Sequence, residues 1–388
     1  MKPKYDIGAI IRDNWEWVIH NPRFTAHHKR MLRAMSLCRT QALGGHIDAC
    51  TDCGCIRISY NSCRNRHCPK CQSVQREKWI LKREAELLPV PYFHVVFTIP
   101  NTLNPLCLHH PKMMYNLLFN AAQQTIKTFA KDPKYLGAKP GMTAILHTWG
   151  QNLSLHPHLH CIVPGGGLTQ KGDWKNAHPN GKFLFPVKAM SKVFRAKFVA
   201  TFRKQATVKH ITIQPNIFKQ LFAKNWVVYA KRPFGDPKQV IEYLGRYTHK
   251  IAITNHRIVG LSNSSITFHY KDYRKAGKVQ LMELSIKEFI RRFALHILPA
   301  GFIRIRHYGF LASRFKKDNL AKARASLKVS PPLVNVPLGW QIISKQRLGF
   351  DPQICSFCGA KAMVRIHILP PTRAPPQQIP PLASVYNL

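Results

Sequence analysis

The stretch Leu155-His156-Pro157-His158-Leu159-His160-Cys161-Ile162-Val163 decides how the rest of the chain is read. Its histidines alternate with other residues, and its end is apolar and β-branched. It therefore predicts a strand over residues 153–163, with the turn Gly165-Gly166-Gly167 behind it. Successive side chains on a strand point to opposite faces, so His158 and His160 share one face and Leu159 enters the core from the other. Two imidazoles side by side form a clamp for a divalent metal. His156 has the same parity, although Pro157 can bend the strand and turn it elsewhere.

Outward from this strand, Tyr92 to Ile99 is β-branched and aromatic and stops at Pro100, which predicts a buried strand. Further strands are expected at 143–148, 226–230, 251–259 and 265–270, and helices at 112–130, 189–204, 238–250 and 286–298. Strands interleaved with helices predict an α+β sandwich. Ahead of it, Ile7, Ile11, Trp15 and Val18 recur at helical spacing in an arm reaching to about residue 45, and a charged helix is expected over 74–88. Proline pairs near the end, from Pro331-Pro332 to Pro380-Pro381, predict extended chain and disorder after about residue 368. Three regions result: 1–90, 91–300 and a basic 301–388 containing Cys355 and Cys358.

Six of the 11 cysteines fall between Cys50 and Cys71, in the paired spacing of a metal site rather than a secreted disulfide framework. Cys50-x-x-Cys53 and Cys68-x-x-Cys71, with 14 residues between the pairs, predict two turns that present four thiolates to one structural Zn²⁺. Cys63 and His67 lie inside the same frame and are candidate further ligands, as are Cys55 and His46 beside them, so a second zinc or another choice of four is open. The loop between the pairs carries Arg64 and Arg66, whose donors suit phosphate or base edges. Cys355-Ser356-Phe357-Cys358 has no second pair nearby. It is either half of a site completed by His367 or another segment, or two free thiols.

The formal charge of +42, from 59 Lys and Arg against 17 Asp and Glu, exceeds what solubility needs and points to a polyanion, nucleic acid, as partner. No apolar run approaches the ~18 residues of a membrane span, and the first residues carry no targeting pattern, so a cytoplasmic protein with neither membrane nor small-molecule partner is expected. Seventeen acids without a cluster argue against a carboxylate-triad nuclease, and no Walker loop is present to drive unwinding.

In Tyr243-Leu244-Gly245-Arg246-Tyr247-Thr248-His249-Lys250, a helix would place both tyrosines on one face, one turn apart, with Lys250 extending that face. Arg246, His249 and Lys250 make this a poor core helix and a plausible phosphate-handling one. Together with the run from Ser62 to Gln72, the histidine strand, and the basic-aromatic run Gly301 to Phe310 with Arg304 and Arg306, it resembles the HUH endonucleases. The similarity is to their two-tyrosine rolling-circle transposases of the insertion-sequence-91 family, over most of the chain.

The resemblance implies an antiparallel sheet flanked by helices, Mg²⁺ or Mn²⁺ at His158 and His160, and DNA transposition as the process. Tyr243 and Tyr247 would then act as nucleophiles, forming a 5′-phosphotyrosine link, with Lys250 assisting. Single-stranded DNA and transposon ends would be the substrates, and a host helicase or the replication machinery the partner, at the bacterial nucleoid. Gln151, His156 and His249 are candidates for a third metal ligand. The alternative is a non-catalytic, zinc-dependent nucleic-acid-binding protein, in which these residues are structural and Arg304 to Lys328 supplies phosphate contact and stacking.

Overall fold

Alternation along the central strands gives the main sheet two unlike faces. The structure is a computed structural model and describes residues 3–177, 184–231, 239, 240, 245, 250–330 and 339–372. Its strands are β1 (Gly45–Cys50), β2 (Ile56–Tyr60), β3 (Tyr92–Thr98), β4 (Lys139–Trp149), β5 (Leu155–Pro164), β6 (Gly166–Leu168), β7 (Trp174–Asn176), β8 (Val228–Lys231), β9 (Ile258–Leu261), β10 (Ser265–Asp272), β11 (Lys278–Ser285), β12 (Ile305–Gly309) and β13 (Met363–Leu369). Seven of them form the antiparallel central sheet, in the order β7-β6-β4-β5-β3-β8 with β12 paired to β4.

One face of that sheet is a large apolar core. Phe97, Leu146, Leu159, Cys161 and Val163 meet Phe119 of the helix Pro111–Lys131 and Phe194 and Phe198 of the helix Val187–Val208. The opposite face bears the histidines at one end. At the other, Ile145 and Ile162 pack with Ile80 of the helix Ser73–Glu84, Val240, and Leu320 of the helix Lys316–Ser326. The expected α+β class, an antiparallel sheet flanked by helices, is the observed one.

A helical arm precedes the sheet, made of Ile7–Asp13, Trp15–His20 and Ala26–Ser36. Asp6 ties it down three ways: its carboxylate caps the first helix at Gly8 N, pairs with Lys70 Nζ at 2.6 Å and accepts from Asn255 Nδ2 at 3.1 Å. The arm shares a core with the β9-β10-β11 sheet and the helix Ile286–Ala294.

Of the strand expected over 251–259 only Ile258 and Val259 lie in one, β9. Ala252 and Ile253 are buried in the arm's core without entering a strand, so their apolar run reported burial and not pairing. β11, unanticipated, pairs with β10 along its whole length. Of the helix expected over 238–250, Gln239, Val240, Gly245 and Lys250 are described; the first three are helical and Lys250 is not. Region 301–388 is shared out: β12 joins the central sheet, whereas β13 pairs with β1. Residues 373–388 lie outside the described ones. No helix among the described residues is long and apolar enough to cross a membrane.

Candidate functional site

β5 places His158 opposite His147 of β4 and opposite Thr98 of β3, and His160 opposite Ile145 and Val96. Directly opposed residues in antiparallel strands share a face, so His147, His158 and His160 converge. Their ligand nitrogens lie within 4.8 Å of one another. His158 Nδ1 donates to the His156 carbonyl at 2.7 Å, which leaves its Nε2 as a lone pair. That atom faces His160 Nε2 at 3.2 Å, while His160 Nδ1 meets His94 Nε2 at 2.9 Å. When His160 donates through Nδ1 to His94, both Nε2 lone pairs open toward one point. Their separation suits neighbouring ligands of one ion with bonds of ~2.0–2.2 Å.

His147 completes the set. Its ring stacks on Trp149, with centroids 4.6 Å apart and planes at 19°, and meets the His160 ring edge-on at 4.5 Å. Burial is the main reason the imidazoles stay neutral: His158 is held at about 4, and His160 is pushed well below the ordinary range by burial and by its neighbours His147 and His158. Neutral imidazoles are the ligating form.

Lys250 comes to the same place. Its positive charge adds to the depression of both His158 and His160, and burial, with Arg257 and Lys271, lowers its own pKa. Its carbonyl accepts from Arg304 Nη1 at 3.3 Å. Tyr243, Tyr247 and His249 lie outside the described residues; Val240, Gly245 and Lys250 near them are described. Val240 is fully buried beside Ile80, Ile145 and Ile162, and a Cβ added at Gly245 would lie 2.3 Å from Ile80 Cδ1.

The cysteines do not group as the spacing suggested. Cys68 and Cys71 join Cys38 and Cys63, whereas Cys50 and Cys53 join Cys355 and Cys358, each four with its sulfurs within 4.8 Å. The single site expected from Cys50, Cys53, Cys68 and Cys71 is thus corrected to two clusters. The reason is the pairing of β1 with β13, which carries the first knuckle to the far end of the chain instead of to its neighbour in sequence. Cys63 Sγ lies 3.8 Å from Cys71 Sγ, the edge of a tetrahedral zinc–thiolate site. Backbone N–H groups of Cys63 and Lys70 reach Cys38 Sγ and Cys68 Sγ, both at 3.4 Å. His67 stands apart, buried, with Nε2 accepting from Leu298 N.

A family profile described as "Transposase zinc-binding domain" matches residues 10–99, and one described as "Putative transposase" matches residues 141–319, which include most of β4, all of β5 and the three histidines. The chain is 42% identical over 365 residues to "Putative transposase y4qJ" of Sinorhizobium fredii, across 90% of this chain and 91% of that one. It is 30% identical over 341 residues to "Transposase for insertion sequence element IS801" of Pseudomonas savastanoi pv. phaseolicola, across 84% and 80%. The chain belongs to the insertion-sequence-91 family of transposases. No solved structure matches the transposase.

The four arginines singled out in the transposase sequence occupy unlike positions. Arg64 is exposed, with a left-handed backbone at φ 53°. Arg66 donates to the carbonyls of Phe302 and Pro299, and Arg304, 7% exposed, donates to Lys250 O, so both guanidiniums brace backbone inside the protein. Arg306 stacks over Phe119 at 4.1 Å and donates to Asn116 Oδ1. Sequence reasoning missed His147 as a ligand candidate, His94 as its supporter, and Cys38. His147 lies in the strand expected over 143–148, where parity could have marked it, but Cys38 has no paired cysteine near it. Gln151 offers its backbone carbonyl to Arg257.

Proposed function

We propose that the transposase cuts and rejoins single-stranded DNA through a 5′-phosphotyrosine link, with Tyr243 and Tyr247 as nucleophiles beside a divalent metal on His147, His158 and His160. The observation that carries this reading is the pair of facing Nε2 atoms, 3.2 Å apart, with the tyrosine segment's own Lys250 beside them. The His156 carbonyl takes up the His158 Nδ1 hydrogen, and with His160 donating through Nδ1 to His94 the donor set fits a metal. Three imidazole nitrogens favour Mn²⁺ over Mg²⁺, which prefers oxygen.

When bound, the ion supplies positive charge at the oxygens of the scissile phosphate. The chain does the rest. A tyrosine hydroxyl loses its proton and bonds to phosphorus, while the bond from phosphorus to the 3′-oxygen breaks and that oxygen takes up a proton, leaving a free 3′-hydroxyl. A phenol ordinarily titrates near ~10, so Lys250 contributes by placing positive charge beside the forming phenolate. With two tyrosines, one strand end stays linked while the second tyrosine cuts or accepts another, as rolling-circle transfer requires. Residues 1–90 supply DNA contact through the zinc module and Arg64, residues 91–300 the chemistry, and 301–388 further basic surface. A host helicase or replication machinery opens the duplex at the nucleoid.

The test is a suicide assay. Protein is incubated with a single-stranded oligonucleotide carrying a transposon end and Mn²⁺, and a protein–DNA adduct is sought on a denaturing gel. Adduct is expected from wild type and lost in His160→Ala with binding kept. Tyr243→Phe and Tyr247→Phe should each retain part. DNA binding without adduct in wild type would sink the enzymatic reading.

A further inference from the structure

Cys50-Thr51-Asp52-Cys53-Gly54 and Cys355-Ser356-Phe357-Cys358-Gly359 are the same device at two distant points of the chain. In each, the first cysteine donates its N–H to the carbonyl five residues on, Cys50 to Cys55 at 2.9 Å and Cys355 to Ala360 at 2.8 Å. In each, the glycine N–H returns to the first cysteine's carbonyl at 3.0 Å. Gly54 and Gly359 have φ of 68° and 78° with open space around them, so the turn and not crowding requires glycine. Such a turn presents two sulfurs in one direction, and the two turns face one another. Cys50 Sγ lies 3.6 Å from Cys358 Sγ, and Cys53 Sγ 3.7 Å from Cys355 Sγ. A tetrahedron with zinc–sulfur bonds of ~2.3 Å has edges of about 3.8 Å.

We propose that Cys50, Cys53, Cys355 and Cys358 hold a second structural zinc, separate from the site of Cys38, Cys63, Cys68 and Cys71. Residues 355–358 lie outside the span matched by the zinc-binding profile. The ion fastens residues 339–372 to the N-terminal hairpin, where β13 pairs with β1 along six residue pairs. The same segment carries the helix Trp340–Leu348, whose Arg347 reaches Glu77 at 3.2 Å and Glu84 at 3.6 Å on the helix Ser73–Glu84. That helix in turn packs Ile80 against Gly245. The second zinc therefore steadies the helix against which Gly245 packs.

The experiment uses the full chain loaded with Co²⁺ and reads the thiolate-to-cobalt charge-transfer band, to which the histidine site does not contribute. Cys355→Ser combined with Cys358→Ser is expected to halve the band, and Cys63→Ser combined with Cys71→Ser to remove the other half. An undiminished band in the first variant overturns the proposal. Should that variant not fold, wild type alone decides. Cys53 and Cys358 are exposed, yet with zinc bound they should resist iodoacetamide until a chelator strips the metal. Ready labelling of both in zinc-replete protein, or protection lifted by reductant alone, overturns it. Neither readout involves DNA cleavage, so the outcome is independent of the catalytic reading.

Discussion

At His160 one ring serves two partners, His94 through Nδ1 and His158 through Nε2. Removing His94 leaves the proposed ligands in place but takes away one partner of the His160 ring and unsets its tautomer. His94→Phe should therefore weaken Mn²⁺ dependence of adduct formation by roughly 10–100-fold, with oligonucleotide binding unchanged. An identical Mn²⁺ titration in the variant would refute the supporting role. A second expectation concerns acid. His296, 3% exposed, is held at about 4 by burial, against an ordinary value near ~6.5. The unfolded chain thus takes up the proton first, so folding stability drops as pH falls from ~6.5 to ~4, by up to about 3 kcal/mol for this residue, and levels off below. Thermal unfolding followed across that range should show a shallower decline in His296→Gln. His158 and His160 were legible because period-two geometry needs only their own strand. His147 could have been added by parity within its own expected strand, whereas His94 could not, since its role depends on which strand lies beside β5 and in what register.

The helix Ser73–Glu84 packs its Ile80 beside Val240 and Gly245. An alanine methyl at residue 245 would need Ile80 to withdraw, at the ~1–3 kcal/mol typical of overpacking. Gly245→Ala should lower the rate of adduct formation several-fold, and Ile80→Ala in the same chain should recover part of it. Independent, additive losses would show that the two residues do not meet in the working enzyme. Elements with strong alternation, β3 and β5 above all, could be recognised from sequence. Ile251 to Ile253 misled because an apolar run records burial whether or not a ladder forms. β11 escaped because it is largely exposed and Lys278, Gln280 and Glu283 give it no apolar face to mark it. The cysteine frame misled for a related reason: spacing shows which residues form a knuckle, not which knuckles meet.

Across the whole molecule, the charge of +42 sets how DNA is held. Affinity for a single-stranded oligonucleotide should fall about 100-fold or more between roughly 50 and 200 mM salt, as expected for six or so phosphate contacts. A flat salt response in a binding titration would mean that the positive surface is not the docking surface. Arg64→Ala should weaken binding less than about tenfold, as one exposed phosphate contact does, and leave folding intact. Arg304→Ala should instead lower the melting temperature, because its buried guanidinium braces the Lys250 carbonyl. The pairing of β1 with β13 also imposes an order on biosynthesis. Cys50 and Cys358 are 308 residues apart, so at ~5–20 residues per second the emerging hairpin waits roughly 15–60 s for its partner strand. For that interval the N-terminal knuckle is a half-made chelate on the ribosome, open to any other thiol or metal, and only a chain translated past Leu369 can close it. Pairing of β13 with β1 thereby reports that synthesis has run past the residues proposed to be catalytic.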